Sequence, residues 1–157
     1  MKKYLIIFLV TIFGTCFSQS AKDLHGVWKG YDDSKTEGIF TFFPDGFVSV
    51  KLGTIIIDGR NYIIPDGPNQ GKTGYLHYSA DFSKTPVMLK LKASYTNAKN
   101  EPEESDFVKI LIEFRKENEI LLFIDLDNEN PSDIDPMSPN LIVLYKENVE
   151  LNAGKTN

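Results

Sequence analysis

The chain has 157 residues, 25% of them charged, with 22 acidic against 17 basic side chains and a formal charge of −5. That balance, with no cluster of Lys and Arg, excludes nucleic acid and anionic lipid as main partners, since both demand concentrated cations. A single cysteine excludes a fold built on disulfides, so the protein must stand on a hydrophobic core.

Lys2 and Lys3 precede an apolar run from Tyr4 to Phe13, and small residues follow at Gly14, Thr15, Ser18 and Ser20. This is the layout of a secretory signal peptide over residues 1–18, with cleavage after Ser18 and Ser20 as the other small-residue site. The run falls short of the ~20 residues that cross a bilayer, so no transmembrane span is expected after processing. Export to the periplasm or the medium follows. The alternative is a lipid anchor at Cys16, because Phe13-Gly14-Thr15-Cys16 resembles a lipobox. Losing Lys2 and Lys3 moves the net charge from −5 to −7 and leaves no cysteine. The expected organisation is one domain over residues 19–147 and a frayed tail over 148–157.

A period near two runs through most of the mature chain. The first strand is expected at Gly26–Tyr31. A hairpin follows over Phe40–Val50, where Pro44 suits the φ of a type I turn and Gly46 the positive φ after it. A three-residue loop sets Phe42 opposite Val48 and Phe40 opposite Val50, with Phe43 and Phe47 paired on the other, more polar side. Shorter strands are expected at Thr54–Ile57 and Tyr62–Ile64, and a longer one at Thr73–Ala80. In residues 86–94, Val87, Leu89, Leu91 and Ala93 share a face; in 106–117, Val108, Ile110, Ile112 and Phe114 do. A three-residue loop at 116–118, with Asn118 in the left-handed region, pairs Phe114 with Ile120, Ile112 with Leu122 and Ile110 with Ile124. Leu141–Lys146 closes the series. The separators are rich in Gly, Pro, Asp and Asn, as turns should be. Eight or nine short antiparallel strands in chain order predict an all-β, up-and-down β-barrel, because closure removes exposed edges. A two-sheet β-sandwich is the alternative.

Gly26-Val27-Trp28 opening the first strand, the Phe42-Phe43-Pro44-Asp45-Gly46 hairpin and the later "GYLHYSADFSKTP" together resemble the lipocalin-like branch of the calycins. The Thr-Asp-Tyr element of lipocalins is missing, and Lys146 is the nearest cation where those proteins carry an arginine after the last strand. The resemblance implies a barrel with Trp28 and the 44–46 turn at its closed end and loops 32–37, 58–61, 81–86 and 116–118 around its mouth. It also implies that a small hydrophobic molecule binds inside, against Phe40, Leu52, Leu89, Ile112, Phe114, Ile120 and Leu122. Ordinary core packing explains the same inward side chains without a ligand. Trp28 reads as a structural base plug.

Catalysis is not expected. Only His25 and His77 titrate near neutrality, no nucleophile elbow, phosphate loop or His-Glu-x-x-His pair occurs, and no cofactor is implied. His77 shares parity with Tyr75 and Ser79 and is read as solvent-facing, or else as one polar handle in a pocket. The acidic stretch 125–135 fails the EF-hand spacing, with Asn130 at its sixth position and Pro136 at its twelfth, so no metal is assigned. A second function class stays open: a filled barrel serving as an accessory module for an envelope protein partner. Phe43, Phe47, Leu121 and Phe123, all off the inward face, would be its contact surface.

Overall fold

The computed structural model describes residues 19–97, 99–127 and 129–148. The expected signal peptide, with Cys16, and the tail from residue 149 lie outside the described residues. A single turn of helix, α1 (Ala21–Leu24), precedes ten strands: β1 (Gly26–Tyr31), β2 (Glu37–Phe42), β3 (Val48–Leu52), β4 (Ile55–Ile57), β5 (Tyr62–Ile63), β6 (Thr73–Asp81), β7 (Val87–Thr96), β8 (Pro102–Lys116), β9 (Glu119–Asp125) and β10 (Leu141–Lys146). All ten form one antiparallel sheet in the order β4-β3-β2-β1-β10-β9-β8-β7-β6-β5. The count exceeds the expected eight or nine because both short segments, β4 and β5, find a partner. One continuous sheet also rules out the two-sheet sandwich.

The sheet curls until its two ends meet. Phe47 bridges His77, the Tyr78 N–H donates to the Gly46 carbonyl at 2.9 Å, and the Leu76 N–H donates to the Gly59 carbonyl at 2.8 Å. The Tyr78 hydroxyl adds a bond to the Phe43 carbonyl at 3.0 Å. β4 and β5 are joined through 58–61 without pairing to each other among the described residues, so the barrel is nearly closed. Gly59 sits in the seam. A Cβ there would lie 1.9 Å from the Val48 carbonyl oxygen and 3.0 Å from that of Leu76, so no side chain fits between the two walls.

The registers follow the apolar pattern. Phe42 pairs with Val48 and Phe40 with Val50, and Gly46 takes its positive φ of 86°. Phe114 pairs with Ile120, Ile112 with Leu122 and Ile110 with Ile124. The route to that second register differs from the expected one. Lys116 pairs with Glu119 and the extra residue is taken up as an irregularity between Phe114 and Lys116, and Asn118 is not among the residues with positive φ. The facing apolar sets choose the register, and the turn adapts.

Loop placement corrects the expectation for the mouth. In an up-and-down barrel alternate connections share an end, so 43–47, 58–61, 82–86 and 117–118 all lie together. Three of the four loops expected at the mouth, 58–61, 81–86 and 116–118, therefore lie beside the 44–46 turn. The opposite end carries 32–36, 53–54, 64–72, 97–101 and 126–140.

The first end is plugged. Trp28 is 0% exposed and its Nε1–H donates to the Leu24 carbonyl at 2.7 Å, while Leu24, also 0% exposed, caps the core from α1. Lys146 Nζ donates to the Asp23 carbonyl at 2.8 Å and lies 5.2 Å from the centre of the Trp28 ring. Lys146 is thus the cation that stacks on Trp28.

On the outer face of β1–β3, Glu37 accepts from Lys29 at 2.8 Å and Lys51 at 2.6 Å. These bonds, the one from Lys29 first, hold its pKa at about 2 instead of 4.5. A carboxylate depressed on folding adds stability above its unfolded pKa and loses it as pH falls toward the folded one. Glu37→Gln should therefore lower the urea midpoint at pH 7, and the deficit should shrink between pH 4.5 and about 2. Gly59→Ala should destabilise the barrel by on the order of 3 kcal/mol. Hydrogen exchange of the Leu76 and Tyr78 amides, whose partners line the seam, should accelerate first.

Candidate functional site

Three places compete for a function: the barrel centre, the outer apolar surface and the end opposite Trp28. At the centre, Phe40, Leu89, Ile112, Ile120 and Leu122 are each no more than 1% exposed. They belong to one continuous cluster with Trp28, Leu91, Ile110 and Leu144, and Leu52 and Phe114 pack against it half-buried. Phe40 stacks on Phe42 with ring centres 6.2 Å apart, Phe42 meets Tyr78 edge-on at 5.2 Å, and Phe114 meets Trp28 edge-on at 6.5 Å. These side chains interdigitate as a protein interior does.

On the outer surface, the four apolar residues expected to form a contact face are each buried or half-buried. Ile134, from the long 126–140 connection, forms a second small core with Leu111 and Leu121, and Phe123, Met88, Leu141 and Val143 pack against it. Leu121 and Phe123 are therefore under a loop. Phe43 and Phe47 have their own cover: the Arg60 guanidinium lies 4.0 Å from the Phe43 ring centre and 5.6 Å from that of Phe47. His77 and Tyr75 lie against Phe47 on its other side, at 4.3 Å and 6.3 Å. Arg60 is fixed by Asp45 at 2.6 Å, a bond that holds the Asp45 carboxyl below its ordinary pKa. His77 stands on the outside of the wall, as its parity implied, and takes part in the seam.

The third place is a cleft of about 220 Å³ near the 64–72 loop. Its walls are Ile57 of β4, Tyr62 of β5, Ile64 and Pro68 of the following loop, Leu76 of β6, Ala93 and Tyr95 of β7, and Phe107 of β8. None of the seven residues expected to bind a ligand borders it. The reason is geometric. The core is already full at the level of Leu89 and Ile112, whereas above it the inward positions shrink to Gly74 and Ala93, and β4 and β5 do not close the wall. Gly74 and Ala93 were the sequence signal for this space, since small residues on an inward face leave volume unfilled. Phe107 had no such signal. It is the extra residue where the β7–β8 register shifts, Leu91 pairing with Val108 and Lys92 with Asp106.

A polar rim surrounds the cleft. Tyr95 hydrogen-bonds the Glu103 carboxylate, which raises the Tyr95 pKa above its ordinary value and lowers that of Glu103. Asn97 Nδ2 donates to Glu103 Oε1 at 3.3 Å, and Lys72 Nζ donates to Asn69 Oδ1 at 2.9 Å. The carboxylate thus fixes the Tyr95 hydroxyl at the edge while the ring stays on the wall.

Among the described residues no group of three or more His, Cys, Asp or Glu is placed to hold a metal. In the acidic stretch, Asp125 is buried and accepts from the Glu129 and Asn130 amides at 3.0 and 3.1 Å, so it folds the loop onto the end of β9. His25 follows α1 and lies far in sequence and topology from the cleft. No helix of the described residues is long and apolar enough to cross a membrane. In comparison with known proteins, no family model matches the chain, and neither a curated protein nor a solved structure does.

Tyr95→Phe removes the hydrogen bond that does most to hold the Glu103 carboxyl below its ordinary pKa. The Glu103 pKa should rise toward the ordinary glutamate value, as read from the side-chain carboxyl shift in an NMR titration, with the chain still folded.

Proposed function

We propose that the protein is an exported, lipocalin-like carrier that holds a small apolar molecule without chemically changing it, in the cleft above the core. The observation that carries this reading is an apolar-walled space of about 220 Å³ over a core that is otherwise filled. An apolar cavity of about 150 Å³ admits benzene, so this one has room for a single ring with a short substituent. It is smaller than the roughly 300–1,000 Å³ of drug-sized sites, which sets the guest as a fragment rather than a long-chain lipid. The lipocalin likeness rests on Gly26-Val27-Trp28, the closed end under Trp28 and the nearly closed up-and-down barrel; export rests on the sequence of residues 1–18. The apolar lining, with Asp66 as its one charged side chain among the described residues, favours binding over catalysis.

The reading moves the binding position from the barrel centre to its rim, and that shift is testable. Ala93→Leu adds bulk to the cleft wall. It should abolish the NMR shift changes that a one-ring probe such as indole induces in the amides of residues 74–76 and 93–95, at a stability cost of about 1–3 kcal/mol. Phe114→Trp, a change in the core away from the cleft, should leave those shift changes in place. Loss of indole binding only in Phe114→Trp would return the site to the barrel centre.

A further inference from the structure

Taking the cleft as the binding site, we infer that its guest is a cationic amine: an aromatic or short alkyl body bearing one ammonium group. The inference rests on which chemical groups face the space. Tyr62, Tyr95 and Phe107 give it three aromatic walls, with Ile57, Ile64 and Leu76 between them. Aromatic faces carry negative potential and attract a cation that approaches within roughly 6 Å of the ring centre. The Tyr95 hydroxyl is engaged by Glu103, to whose carboxylate it donates.

The charge on the cleft wall itself is negative. Asp66 is the one charged side chain among the described residues that border it. Its position is set by the turn it sits in: the Gly71 amide donates to the Ile64 carbonyl at 2.9 Å and the Gln70 amide to the Gly67 carbonyl at 3.1 Å, and Gln70 Nε2 donates to the Pro65 carbonyl at 2.9 Å. Among the described residues Asp66 makes no ion pair, so its carboxylate is not already neutralised. Neither nearby cation borders the cleft: Lys72 donates to Asn69 with the Glu103 carboxylate within its field, and Lys92 pairs with Glu104 at 2.9 Å. An anion entering the cleft would meet Asp66 and three aromatic rings with no cation among the described residues that line it, whereas an ammonium would be attracted by those same groups. A neutral guest gains the apolar contacts alone. The net charge of −5 adds a long-range field that favours the cation as well.

The test uses three guests of one shape: 2-phenylethylamine, 2-phenylethanol and 3-phenylpropanoate, titrated into the purified protein at pH 7 and followed by NMR shift changes of the cleft amides. The amine should bind roughly tenfold more tightly than the alcohol, and the carboxylate least. Asp66 is exposed on its turn, so Asp66→Asn should fold; it should remove much of the amine's advantage and leave the alcohol's affinity unchanged. Added salt should narrow the gap in the parent protein more than in the variant. Equal affinities for amine and alcohol, or tighter binding of the carboxylate, would overturn the cation preference while leaving the cleft as an apolar site. An amine preference that survives intact in Asp66→Asn would overturn the role of that carboxylate. If none of the three perturbs the cleft, the carrier reading itself fails.

Discussion

An antiparallel sheet that turns one face inward must do something with its two edges, and everything else in this molecule depends on how that is done. Here the edges are brought together by a seam of backbone bonds from β6 to Gly46 and Gly59, reached without a disulfide. The seam works because a glycine at position 59 lets two walls approach to a distance that any Cβ would forbid. It works incompletely, because β4 and β5 are only three and two residues long and stop short of each other. Short edges offer little template for pairing with another chain. They also leave the upper wall open, and the cleft exists where the wall is missing.

Core and cleft are therefore two results of one arrangement. Below the level of Leu91, large inward residues from eight strands meet and fill the barrel, and Trp28 with Leu24 closes its end. Above that level the chain supplies Gly74 and Ala93 from β6 and β7, and no strand completes the far side. The cleft lies at that level. The aromatic residues that line it come from loops, edges and a register shift, positions that a close-packed interior does not use.

Much of the architecture was legible from the spacing of apolar residues. The pairings of Phe40 with Val50 and of Ile112 with Leu122 could be read directly, because a one-residue slip would turn each apolar set toward water. The ends of the barrel were harder. Which loops lie together follows from counting strands, and the short β4 and β5 each reverse the chain once. The position of the cleft was not legible. Inward parity marks Phe40 and Phe114 as interior without saying whether the interior is full, and that depends on how many strands converge at each level. Ile134 covering Leu121 is of the same kind: a single apolar residue in a long acidic loop carries no periodic signal.

The register shift at Phe107 has one more result. Beyond Val108, β8 pairs with β7 but has lost β9, whose last pairing is Asp125 with Lys109. Residues 101–107 are exposed, and Glu101, Glu103, Glu104 and Asp106 line that free margin. The upper halves of β6, β7 and β8 thus form a three-stranded awning, anchored at the bulge and braced on one side only. Its curvature, rather than the girth of the barrel, sets the width of the opening beneath it. A bend in this awning would change the breadth of the opening and leave the packed floor below as it is.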